Sequence, residues 1–188
     1  MEKTDMRQGT LRIIAIGVIS AIGVTMGFAL FHIPNIELIS ATIFIGGYLM
    51  GSRDGIIIGI FTETTFSVFN PMGMASPPLF AAQVAGMAII GLAGGLLRKS
   101  GLSGWRLLTA FAVCGALLSF IYALLTTASF VFFINLETQG RIAAVLSGIS
   151  FYVIHIVSNT IIFSTIVPAV IGSTFRAAVF KQNEARAA

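Results

Sequence analysis

The sequence predicts an all-α integral membrane protein, a six transmembrane helix bundle with both termini cytoplasmic, and three observations lead there. Of 188 residues, 56% are hydrophobic and only 10% charged, against roughly 25% charged in soluble domains, and the mean hydropathy is +0.97. The apolar residues form long runs that lack the alternation, over about ten residues, of an outer-membrane strand. The cations fall between those runs, where they orient a membrane protein. The length suits one membrane domain spanning residues 1–188.

The first span covers residues 11–31, close to the roughly 20 residues that cross a bilayer as helix. His32, Pro34, Asn35 and Glu37 follow it where a small-residue cleavage site would stand, so it is expected to remain as a helix. Spans two and three, 36–50 and 55–69, are short, and the breakers and charges of 51–55 read as the turn between them. Span four covers 79–97, span five 107–134 and span six 142–171. The last is too long for a hydrocarbon core of about 30 Å unless it tilts, bends near Pro168 or projects beyond the lipid.

Six spans place Lys3, Arg7, Arg12, Arg53, Arg98, Lys99, Arg106, Arg176, Lys181 and Arg186 on one side and only Arg141 on the other. That asymmetry makes the termini cytoplasmic. It also explains the formal charge of +4 without nucleic acid.

Composition removes several chemistries. A lone Cys114 excludes a disulfide framework or a multi-thiolate metal site, and His32 and His155 are too far apart for a helical metal pair, so no metal site is expected. No phosphate-binding loop or His-Glu-x-x-His string occurs. Gly101-Leu102-Ser103-Gly104 copies the serine string of intramembrane rhomboid proteases, but it lies in a cationic loop. The chain is read as no enzyme, with no catalytic residue.

Small residues recur every four positions: Gly47, Gly51, Gly55 and Gly59, and in the first span Gly17/Ala21 and Gly23/Gly27. Such spacing lets helix backbones approach closely in lipid. It serves either internal packing or, for the first span, docking of another subunit. Ionisable groups within spans are few. Glu63 has Ser67 and Asn70 at i+4 and i+7, and His155 has Tyr152 and Asn159 at i−3 and i+4; each set shares a helix face. An unpaired carboxylate there costs roughly 2.5 kcal/mol or more. Glu63 and His155 either satisfy each other between helices or line a pocket. The loop from Asn70 to Pro78, with three prolines, Gly73, Met72 and Met74 and no charge, reads as a rim over a small-molecule site.

The run Ile33-Pro34-Asn35-Ile36-Glu37-Leu38, with Gly46-Gly47-Tyr48-Leu49-Met50-Gly51, Gly55 and Phe69-Asn70-Pro71-Met72-Gly73, resembles the substrate-binding S components of energy-coupling factor (ECF) vitamin transporters. Pro77, Gln83 and the small-rich stretch 86–95 extend the likeness. The resemblance implies a subunit of a bacterial or archaeal cytoplasmic membrane that binds a vitamin-like small molecule. Its partners would be a transmembrane scaffold subunit and two cytosolic ATPases, so this chain needs no cofactor and hydrolyses no ATP. It also implies docking through small residues of the first helix, Gly17, Ala21, Gly23 or Gly27. The binding candidates are Asn35, Glu63, Asn70, Met74, Gln83, Tyr152 and His155, with Asn159 ranked lower as too deep. With Arg141 as the lone outward cation, a neutral or cationic ligand is favoured over an anionic one. A proton-coupled secondary transporter using Glu63 and His155, and a structural membrane protein, remain the alternatives.

Overall fold

The structure, a computed structural model, describes residues 2–133 and 137–187, with the side chains of 2–6, 132–133, 141, 144, 147 and 175–187 left aside. Residues 135 and 136 and the Arg141 side chain therefore lie outside the described residues, and α6 already begins at Thr138. The chain runs through α1 (Glu2–Ala29), α2 (Ile39–Met50), α3 (Ser52–Val68), α4 (Pro77–Lys99), α5 (Gly104–Phe133) and α6 (Thr138–Ala187). No strand occurs among the described residues. Arg7–Ala29, Pro77–Lys99, Gly104–Val131 and Gly148–Thr174 are long and apolar enough to cross a membrane. At about 1.5 Å per residue, the 12-residue α2 and 17-residue α3 fall short of the hydrocarbon thickness.

The turn between the second and third spans needs correction. The turn read at 51–55 is a single residue, Gly51, at φ 100°, a conformation that costs glycine little. Arg53, Asp54 and Gly55 already belong to α3. Asp54 fits the first turn because a carboxylate is favoured at the positive end of the helix dipole. It also accepts a bifurcated hydrogen bond from Arg12 Nε–H, 3.0 and 2.8 Å to its two oxygens, and a further one from Arg12 Nη2. The sixth span, read as 142–171, lies within α6, which runs 50 residues with Pro168 inside it.

The glycines explain how α2, α3 and α4 come together. A Cβ on Gly47 or Gly55 would fall onto the Gly91 carbonyl oxygen, one on Gly91 onto the Gly55 carbonyl, and one on Gly94 onto that of Phe44. These backbones touch directly, the arrangement small-residue ridges permit in lipid. Around them, Phe44, Phe111 and Phe163 are almost fully buried and tie α2 to α5 and α6. Their ring centroids lie 6.1 Å (44–111) and 5.0 Å (44–163) apart, in edge-to-face geometry that suits the aromatic quadrupole.

Helix α1 packs on α2 and α3, and α6 on α5 and α2, whereas the described residues of α1 and α6 do not meet. Between them an apolar groove of about 320 Å³ runs along α2, walled by Ile19, Ile22, Met26, Ile166 and Val170. The four small residues of α1 divide. A Cβ on Gly23 would sit 2.8 Å from Thr62 Cγ2, and one on Gly27 2.8 Å from Phe66 Cε2. That pair is internal packing, which corrects its assignment to a docking face. Gly17 has open space beside it and Ala21 is exposed.

Candidate functional site

The site is built around the connection between α1 and α2, residues 30–38. Asn35 takes φ 61°, a left-handed conformation that asparagine tolerates better than most side chains. It turns the chain back so that Glu37 precedes the N-terminus of α2. There Glu37 Oε2 accepts a hydrogen bond from the Ser40 amide at 2.8 Å, satisfying one of the donors that every helix start leaves open. Its other oxygen accepts from Asn159 Nδ2 at 3.2 Å. One residue earlier on α6, the Ser158 hydroxyl donates to the Asn35 carbonyl at 2.9 Å. Consecutive residues of α6 thus hold the connection against the bundle.

Beneath it lies a cavity of about 240 Å³. Every lining residue comes from the part of its helix next to the α1–α2, α3–α4 or α5–α6 connection, so the cavity occupies the end of the bundle opposite the Arg12–Asp54 pair. Four of the sequence candidates meet in it: Asn35, Glu63, Gln83 and His155. Glu63 is 2% exposed and accepts one hydrogen bond, from Ser67 Oγ at 3.0 Å, as the i+4 spacing implies. His155 Nε2 lies 3.4 Å from Asn159 Nδ2. The ring makes that contact as acceptor in its Nδ1–H tautomer. Among the described residues no hydrogen bond joins Glu63 to His155.

Three candidates fall elsewhere. Asn70 Oδ1 accepts from the Met72 amide at 2.9 Å, an Asx turn that shapes its own loop. Met74 is 57% exposed, and no residue of 70–78 lines the cavity. The rim is the 30–38 connection instead. The Tyr152 hydroxyl accepts from Thr127 Oγ1 at 2.6 Å, which joins α5 to α6 outside the cavity.

Glu37 and Tyr122 were missed and both line it. The Tyr122 ring lies 5.8 Å from that of His155. Ser119, Tyr122 and Thr126 form the same kind of polar stripe on α5 that marked α3 and α6, so the signal was present. Asn159 does not line the cavity but stands behind it. It is fully buried, and its Nδ2 reaches Ser119 Oγ at 2.9 Å besides Glu37 and His155. Among the described residues the lining holds two carboxylates, two amides, an imidazole and a phenol, with no Lys or Arg. No cluster of described residues fits a metal ion.

Such a pocket, small, mostly apolar and with a few convergent polar groups, is the form of a ligand site. The family model described as "ECF transporter, substrate-specific component" matches residues 11–175. The chain belongs to this family. No curated protein and no solved structure gives a significant match. An ECF substrate-specific component is a transporter's substrate-binding part and not an enzyme, and this one is a multi-pass membrane protein by its apolar helices. In this ECF component the polar groups that could hold a substrate are gathered at one end of the bundle, and the helix-end cations Arg53, Arg98 and Lys99 lie at the other.

Proposed function

We propose that this ECF component is the high-affinity substrate-binding subunit of an ATP-driven micronutrient uptake transporter in a bacterial or archaeal cytoplasmic membrane. All of α1 to α6 span or enter the bilayer, with both termini cytoplasmic. The cavity under the 30–38 connection opens toward the outside and receives a vitamin-like molecule. A transmembrane scaffold subunit and two cytosolic ATPases provide the power stroke, and the chain itself carries no cofactor. The observation that carries this reading is the meeting of Glu37, Glu63, Gln83, Tyr122 and His155 around one cavity in a member of a substrate-binding family. Mass spectrometry of the protein purified from its native membrane tests it: a retained small molecule supports the reading, and reproducible absence of any retained or bindable small molecule sinks it.

The orientation has its own check. A cysteine placed at Ser103 should resist an impermeant thiol reagent in intact cells and react after permeabilisation; labelling from outside would invert the topology.

For the scaffold subunit, Gly17 and Ala21 form the candidate face. A groove of about 490 Å³ runs beside Gly17, walled by Ile13, Ile16, Ile57 and Phe61 and edged by Arg12 and Arg53. Gly17→Leu fills open space, so it should leave folding and ligand binding intact. Recovery of the complex should drop about tenfold or more, because close backbone approach depends on small residues. Co-purification with the ATPases reads that loss.

A further inference from the structure

We infer that the substrate of this cavity is an organic cation that carries N–H donors, such as an amidinium, a guanidinium or a protonated amino-heterocycle. The inference deepens the binding-subunit reading and rests on it.

The donor and acceptor inventory of the cavity is one-sided. Glu63 has accepted a single hydrogen bond, from Ser67, although a carboxylate offers about four acceptor positions. Gln83 Oε1 is buried and has no partner. The donor that reaches the His155 ring, Asn159 Nδ2, also has Glu37 and Ser119 to serve, three acceptors for two hydrogens. Buried polar groups are normally satisfied, so an unfilled Glu63 and an orphaned Gln83 acceptor call for donors from outside the chain.

Charge points the same way. Glu37 and Glu63 are close enough to act on each other electrostatically, and both line the cavity. No Lys or Arg stands among the described lining residues, and among the described residues the ion pair of the molecule is Arg12–Asp54, at the opposite end. A buried carboxylate without a counter-charge is costly in a low-dielectric interior. A ligand cation supplies that counter-charge, and an anion would add a third negative group. Phe31, Phe66 and Tyr122 contribute aromatic surface to the same cavity, which favours a flat cation over a flat neutral molecule. Donors on the cation matter as well as its charge, because Gln83 Oε1 is neutral and answers only to a hydrogen bond.

Three probes of matched shape separate charge from size: benzamidine, benzamide and benzoate, titrated against the purified full-length protein in nanodiscs. Benzamidine should bind at least about tenfold more tightly than benzamide, as a charge-assisted hydrogen bond outweighs a neutral one, and benzoate should not bind. Glu63→Gln, which keeps the shape and the Ser67 bond, should bring benzamidine down to the level of benzamide. Equal binding of benzamide or benzoate to the wild type would overturn the charge assignment and leave the binding-subunit reading intact. The native small molecule, identified by mass spectrometry, decides independently of any variant's folding. A cation with N–H groups supports the inference, and a neutral or anionic molecule overturns it. Failure of all three probes, with no small molecule retained, removes both readings together.

Discussion

Gly91→Val is expected to yield no folded, monodisperse protein. Most core substitutions act on side chains that can shift, and overpacking then costs about 1–3 kcal/mol. Here the obstruction is backbone on both sides. A Cβ at residue 91 lands on the Gly55 carbonyl, and the Gly91 carbonyl in turn occupies the space beside Gly47 and Gly55. Relief would require α4 to move off α2 and α3 together. That separation strips Ile58, Met87 and Ile90, all nearly buried, of their packing. A loss above about 3 kcal/mol follows, a large part of the 5–15 kcal/mol that holds a typical domain folded. Fluorescence-detected size exclusion with a melting series measures it, and Gly17→Val, with open space around it, serves as the comparison. Wild-type melting for Gly91→Val would show that the three helices are not held by backbone contact.

Asn159→Leu is the second large effect, and it should strike binding harder than folding. The substitution keeps the volume of a fully buried side chain but removes the donor shared by Glu37, Ser119 and His155. Each buried acceptor left without a partner costs about 1–3 kcal/mol. Glu37 bears most of that cost and retains only its bond from the Ser40 amide. It would turn toward water and take the 30–38 connection with it. Affinity for the co-purified ligand should fall by roughly 100-fold, about 2.7 kcal/mol, while the protein still purifies as a folded species. Asn159→Asp should fail differently, by setting a third carboxylate against Glu37. Unchanged affinity in the Leu variant would show that α6 does not position the connection.

The spans were legible because hydropathy and breakers are local properties. Residues 11–31, 79–97 and 107–134 each lie largely within one helix of the structure. The glycines at 47, 55 and 59 announced close packing, but their partners Gly91 and Met87 lie far along the chain, where spacing carries no information. The turn at 51–55 was overdrawn for a similar reason. Arg53 and Asp54 look like loop residues until Arg12, 42 positions earlier, is seen to pair with Asp54.

In the site, Glu63, Gln83 and His155 were readable as polar residues on apolar helix faces. The reach of the 30–38 connection was not. Asn159 was ranked lower as lying a turn too deep along α6, and it does not line the cavity. The connection nevertheless reaches down to it through Glu37. Asn70 and Met74 were chosen on loop composition, which shows that a loop is stiff and apolar but not which opening it borders.

The absence of contact between the described residues of α1 and α6 also has a mechanical meaning. Helices α2, α3 and α4 form a slab whose members are pressed backbone to backbone. Helix α1 lies on that slab as one leaf, and α5 with α6 as another. The groove of Ile19, Ile22, Ile166 and Val170 is the seam between the leaves, and the cavity lies at its end. Across that seam the side-chain hydrogen bonds among the described residues are those from Ser158 to Asn35 and from Asn159 to Glu37. The seam is thus fastened at two neighbouring points, whereas the aromatic core of Phe44, Phe111 and Phe163 behind it is packed ring against ring.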